Sequence, residues 1–152
     1  YFVEMSAAIR EQKGLVLHYI GDEIMAVFGA PVPVQDHRFR AVKAAIGMRS
    51  RLRTVNRRLA RRGYAPLRHG IGIDTGTVLA GNIGGGDRII YSLVGDTVNL
   101  ASRLQSLNKQ FNTDIIISAR TQAGIDQTIP VKQLPPTPIK GKMKKVDIYA
   151  VI

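Results

Sequence analysis

Asp22 stands where a carboxylate could hold a metal ion. The apolar runs 15–20 and 24–28 flank Gly21-Asp22, which predicts a β-hairpin with Asp22 at its tip. A carboxylate on a rigid tip is placed to grip a divalent cation through oxygen, although Gly-Asp is also ordinary turn chemistry. Asn99 and Arg103 lie four apart in a stretch of helical period and so share a helix face. A guanidinium there can meet phosphate oxygens in a two-pronged fork. The plainer alternative is an exposed Asn and Arg on an amphipathic helix. Lys140, beside a glycine, could reach a phosphate as a point charge. Lys142, Lys144 and Lys145 crowd the same loop, so a solvated basic segment explains it nearly as well.

The elements that must position these groups follow from period and punctuation. Phe2, Met5 and Ile9 recur at helical spacing, and Gly14 stops that helix. The chain thus opens partway through an element, and we expect a segment upstream. Pro31 and Pro33 break the chain after the hairpin. Asp36 is a candidate cap for a helix over 37–62, which carries Val42, Ala45, Ile46, Met48, Leu52, Val55 and Leu59 and ends at Gly63. Strands are expected over 67–73, 78–83 and 89–94, with 84–86 a flexible glycine loop. Gly95-Asp96-Thr97 starts a helix reaching 111, with Asp96 as its cap. A buried strand at 114–118, an edge strand or loop at 131–138 and a last strand at 146–152 complete the chain. Strands alternating with two long helices predict an α/β sandwich in which helices cover one sheet. No internal repeat or linker divides it.

Composition narrows the partners. The chain has 152 residues, 45% of them hydrophobic and 22% charged, which suits one globular domain. No apolar run is long enough for a membrane-spanning helix. There is no cysteine, so thiolate chemistry and disulfides are excluded, and a reducing, cytoplasmic setting is expected, either free or as the cytoplasmic part of a membrane-tethered protein. The net charge of +11 calls for an anionic partner: nucleic acid, membrane surface or polyphosphate. The arginines at 49, 51, 53, 57, 58, 61 and 62 read first as a solvated basic helix face. Without interleaved aromatics or zinc-finger spacing, nucleic acid is not the expected partner.

The hairpin with Ile20-Gly21-Asp22, and the string from Tyr91 through Gly95-Asp96-Thr97-Val98-Asn99 to Arg103, together resemble the catalytic domain of class III adenylate and guanylate cyclases. The resemblance runs from the first helix to the last strand. It implies a ferredoxin-like βαββαβ sandwich with added C-terminal strands, a single catalytic domain over 1–152, and conversion of ATP to 3′,5′-cyclic AMP and pyrophosphate for intracellular signalling. By resemblance, Asp22 is the second of two metal-binding aspartates for two Mg2+ or Mn2+ ions. Asn99 orients the ribose, Arg103 stabilises the transition-state phosphate, and Lys140 contacts the triphosphate. The first metal aspartate lies in a Phe-x-Asp-Ile segment of the family's opening strand, to which nothing here corresponds. With one carboxylate, this chain alone is expected to be weak or inactive, and its sheet to lack a central strand. Asp74 and Asp96 are poor substitutes.

The positions that read the base depart from the family. Adenylate cyclases typically hold Lys and Asp or Thr there, and guanylate cyclases Glu and Cys; here they are His18 and Ser92. Both residues can donate or accept a hydrogen bond. Adenine is expected from the likeness to bacterial adenylate cyclases, with GTP as the alternative. The resemblance further implies a head-to-tail homodimer with active sites at the interface, and an upstream sensor or regulatory domain. A degenerate, non-catalytic regulatory module is the competing reading.

Overall fold

The computed structural model describes residues 1–152, apart from the side chain of Arg88. The elements in order are α1 (Phe2–Glu11), β1 (Leu15–Ile20), β2 (Glu23–Val27), α2 (His37–Ala60), β3 (Ile71–Ile73), β4 (Leu79–Gly85), β5 (Arg88–Val94), α3 (Asp96–Phe111), β6 (Ile115–Ser118), α4 (Ala119–Gln122), β7 (Val131–Gln133) and β8 (Ile148–Val151). One sheet has the order β3-β6-β8-β7, with β3 parallel to β6 and the other pairs antiparallel. Two antiparallel hairpins, β1-β2 and β4-β5, stand as separate ladders.

The four-stranded sheet is covered on both faces, and strand alternation explains how. Ile115 and Ile117 of β6, with Val151 of β8, face Val42 and Ala45 of α2. Ile116 of β6, with Ile148 and Ala150 of β8, faces Leu100 and Leu104 of α3. Side chains two apart point the same way, so one apolar strand serves two cores. Each buried Ile of β6 is worth roughly 2–3 kcal/mol in removed apolar surface. The C-terminal half of α2 turns to a third cluster, where Met48, Leu52 and Val55 meet Met5, Ala8 and Ile9 of α1 over Val16, Ile24 and Ala26 of the first hairpin.

Several sequence expectations are corrected. The stretch 84–86 is not all loop, because β4 pairs through Gly85 opposite Arg88 and only Gly86 and Asp87 turn. The strand expected from 67 begins at Ile71; the side-chain amide of Asn56 holds Leu67 through both its backbone N–H and its carbonyl, so that segment bonds to α2 rather than to a sheet. Asp36 makes no side-chain cap bond; its carboxylate accepts from Arg40 at 2.7 Å. Asp96 is not the cap of α3 but its first residue, after Gly95. The short helix α4 was not foreseen; the Ser118 side chain caps it.

Candidate active site

Asp22 lies in the two-residue turn that closes β1 onto β2, after the Ile20–Glu23 pair. Gly21 takes a positive φ of 62° there, which a side chain would resist. The Asp22 carboxylate is exposed and makes no ion pair among the described residues.

His18 owes its position to an irregularity. Val16 pairs with Ala26 but His18 pairs with Met25, so Leu17 is an extra residue, a β-bulge. Paired residues share a face of the ladder. Val16 and Ala26 face the core cluster beside α1 and α2. His18 and Met25 therefore face the other way, whereas strict alternation would have put His18 with Val16. Tyr19, paired with Ile24, is back on the α1 side, where its hydroxyl meets the Ser6 hydroxyl at 2.8 Å. On its own side, His18 Nε2 lies 3.0 Å from Ser92 Oγ on β5. The structure thus joins two residues that are 74 apart in sequence, both half-buried.

Asp96, Asn99 and Arg103 fall on one stripe of α3, at i, i+3 and i+7. The stripe flanks the buried Leu100 and Leu104, so packing of α3 fixes where it points. Ile139 belongs to the same cluster and pins the following loop against α3. Arg103 then donates to the Lys140 carbonyl, and the Lys142 ammonium pairs with the Asp96 carboxylate. Gly141, at a φ of 80°, leaves room for this contact; a Cβ there would lie 3.3 Å from Arg103 Nη1. The hydrogen bond from Lys142 is the chief reason the Asp96 carboxyl sits below its ordinary range, with the charges of Lys142, Arg120 and Arg103 adding to it against the cost of partial burial. Three cations thus surround the start of α3, an arrangement suited to a polyphosphate. Asn99 is exposed and has no side-chain partner among the described residues.

Of the lysines, Lys140 offers its backbone carbonyl, while Lys142 brings an ammonium to α3. Arg120, on α4, went unremarked in the sequence, and no spacing signals it. It bridges Asp96's neighbourhood and Asp74, donating to the latter at 2.5 Å. The Asp74 side chain is fully buried and also accepts from Ser118 Oγ at 2.6 Å, which makes it a structural anchor. No three His, Cys, Asp or Glu gather into a metal cage among the described residues. Asp22 fits one oxygen ligand, and a two-metal site is not assembled by this chain's own side chains. Two grooves of about 300 and 510 Å³ run beside α1, and no candidate site residue lines either. The candidate groups lie instead on an open surface.

A hydrogen-bonded histidine–serine pair and a helix stripe with three cations about it, on a sheet covered by helices, make an α/β domain whose surface chemistry suits an anionic ligand. Residues 1–152 match the family described as the adenylate and guanylate cyclase catalytic domain, and the chain belongs to that family. It is 32% identical over 152 residues to adenylate cyclase 1 of Rhizobium meliloti, covering all of this chain and 23% of that protein. Among solved structures it resembles the adenylyl cyclase CyaB from P. aeruginosa, with a TM-score of 0.91 and 31% identity over 100% of this chain and 78% of that one. It also resembles the guanylyl cyclase Cya2, with a TM-score of 0.88 and 35% identity over 99% and 76% of the two chains. The domain is a nucleotidyl cyclase catalytic domain, a lyase, and the family is typically metal-dependent. The chain spans about a quarter of the Rhizobium relative's length. No described helix is long and apolar enough to cross a membrane.

Proposed function

We propose that this domain converts ATP to 3′,5′-cyclic AMP and pyrophosphate as a head-to-tail homodimer. The observation that carries this reading is the stripe of Asn99 and Arg103 on α3, with Arg120 and Lys142 beside it. In the reaction the ribose 3′-oxygen bonds to the α-phosphorus, the bond from the α-phosphorus to the bridging β-phosphate oxygen breaks and releases pyrophosphate, and the 3′-hydroxyl proton passes to solvent water. Negative charge grows on the phosphoryl oxygens and the leaving pyrophosphate. Arg103 would exchange the Lys140 carbonyl for those oxygens, and Asn99 would hold the ribose. Lys142 and Arg120 would draw in the triphosphate. A Mg2+ or Mn2+ ion held in part by Asp22 would supply Lewis-acid activation. The open surface around these groups favours a site completed by a second copy, with Asp22 of one protomer serving Asn99 and Arg103 of the other.

ATP as substrate is supported by likeness along the whole chain to a bacterial adenylate cyclase. The test is incubation of the full-length protein that carries this domain with Mn2+ and either ATP or GTP, with the cyclic products quantified by mass spectrometry. Cyclic AMP in excess upholds the reading. Cyclic GMP in excess keeps the mechanism and reverses the substrate. Neither product from a folded dimer favours the regulatory module, the second reading, which is supported by Asp22 being the one site carboxylate without an ion pair among the described residues.

A further inference from the structure

The positive charge of this chain sits in one place. Residues 37–73 hold eleven of the 22 lysines and arginines and none of the 11 acidic residues. Elsewhere the two signs balance, so the whole excess of +11 belongs to α2 and the loop behind it. We propose that this ridge is a docking surface for an anionic lipid bilayer. The arginines of α2 meet the headgroup phosphates, and Tyr64 and Leu67 enter the interface beside them.

Packing accounts for only part of the charge. Arg51 and Arg58 pair with Glu4, and Arg51 also with Glu11. Arg40 pairs with Asp36, and Arg49 donates to the carbonyls of Val151 and Ile152. Arg53 and Arg57 of α2 and Arg61 at its C-cap are exposed and make no ion pair among the described residues. They follow one another four apart, so they share one helix face, away from the buried Met48, Leu52 and Val55. Like charges at that spacing weaken a helix. The fold gains nothing from them, and an anionic partner would relieve the repulsion.

The shape and the company of these cations choose the partner. One side of α2 packs on α1 and the sheet, which leaves the arginine face as an open convex ridge. No aromatic ring stands between Arg53 and Arg61 to stack a base, as single-stranded nucleic acid requires. At the end of the ridge the chain turns through Gly63, and Tyr64 and Leu67 stand 64% and 42% exposed between Arg62 and Arg68. An amphipathic ring and an aliphatic side chain bracketed by arginines suit the boundary between headgroups and acyl chains. The Asn56 amide bonds both the backbone N–H and the carbonyl of Leu67, so the loop is presented in a fixed shape.

The experiment uses the full-length protein that carries this domain and vesicles of phosphatidylcholine, alone or with about one-third phosphatidylglycerol. Amide exchange over residues 61–68, followed against vesicle concentration, gives both the place and the strength of binding. The expected result is protection of that loop by the anionic vesicles alone, lost as salt is raised. Combining Arg53→Gln, Arg57→Gln and Arg61→Gln should weaken binding by about 100-fold without lowering the melting temperature. Lys144→Gln with Lys145→Gln, which removes charge from another loop, should leave binding within about threefold. Equal protection by both vesicle types, a comparable loss in the lysine variant, or no protection at all would overturn the proposal. Duplex DNA that protects the loop more strongly than anionic vesicles at matched phosphate concentration would assign the ridge to nucleic acid and overturn it as well.

Discussion

Asn99 and Arg103 carry different structural duties, and this makes their substitution informative. Asn99 is exposed and holds nothing, so Asn99→Ala should leave the melting temperature unchanged while turnover falls about 100-fold or more. Arg103→Ala should lose at least as much turnover and also free the Lys140 carbonyl. Full activity in both folded variants would remove them from the site. His69 makes a separate residue-scale case. Its Nδ1 meets the Tyr1 hydroxyl at 3.2 Å, and its buried Nε2 has no partner. Burial pushes its pKa below the ordinary 6.5, with Asp114 opposing weakly. The neutral form is therefore the one that suits the fold. Its stabilising contribution is complete above pH 6.5 and is lost as pH falls toward the lower folded value. Thermal melts between pH 7.5 and 5.5 should show that decline, and His69→Phe should flatten it.

At the scale of elements, the site depends on how closely α3 lies on β3. A Cβ at Gly72 would come within 2.1 Å of the Ala101 carbonyl and 2.2 Å of the Gln105 nitrogen. Both obstacles are backbone, so Gly72→Ala must push α3 away from the sheet. We expect a loss of about 3 kcal/mol by denaturant unfolding, with nucleotide binding weakened alongside it. Unchanged stability would mean that α3 is not seated as described. The loop 140–142 is tied to α3 by the Asp96–Lys142 pair, which Asp96→Asn weakens. Amide exchange in that loop should then quicken while exchange in β6 and β8 stays slow. Equal exchange in variant and wild type would show that Ile139 alone holds the loop. The pair should also loosen in acid, below the ordinary 3.8 of an aspartate, as the Asp96 carboxyl takes up its proton.

For the whole molecule, the proposed head-to-tail dimer splits the site between copies. Asp22→Asn and Arg103→Ala proteins should each be inactive alone. Mixed in equal amounts, half the dimers are heterodimers, and each of those carries one intact site beside one doubly damaged site. Activity should return to about a quarter of wild type. No recovery from a mixture shown to exchange subunits would place Asp22 and Arg103 in the same protomer's site. The net charge of +11 does not choose among anionic partners, since Arg51 and Arg58 on α2 are committed to Glu4 and Glu11 of α1.

Local chemistry determined a good deal by itself. Gly21-Asp22 required a turn, so the tip carboxylate was legible. A period of 3.6 residues placed Asn99 and Arg103 on one face, and the unbroken apolar run Ile115–Ile117 announced a strand buried on both sides. The family resemblance rested on those same short strings. Long-range packing decided the rest. The bulge at Leu17 reversed the facing of His18, because pairing register depends on which residue of β2 lies opposite, and nothing local to β1 records that. The bond from His18 to Ser92, the seating of the loop 140–142 by Ile139 and the approach of Arg120 from α4 each join residues dozens of positions apart. Such contacts arise from how the elements fill the shared core, a property of the folded whole that no stretch of sequence carries alone.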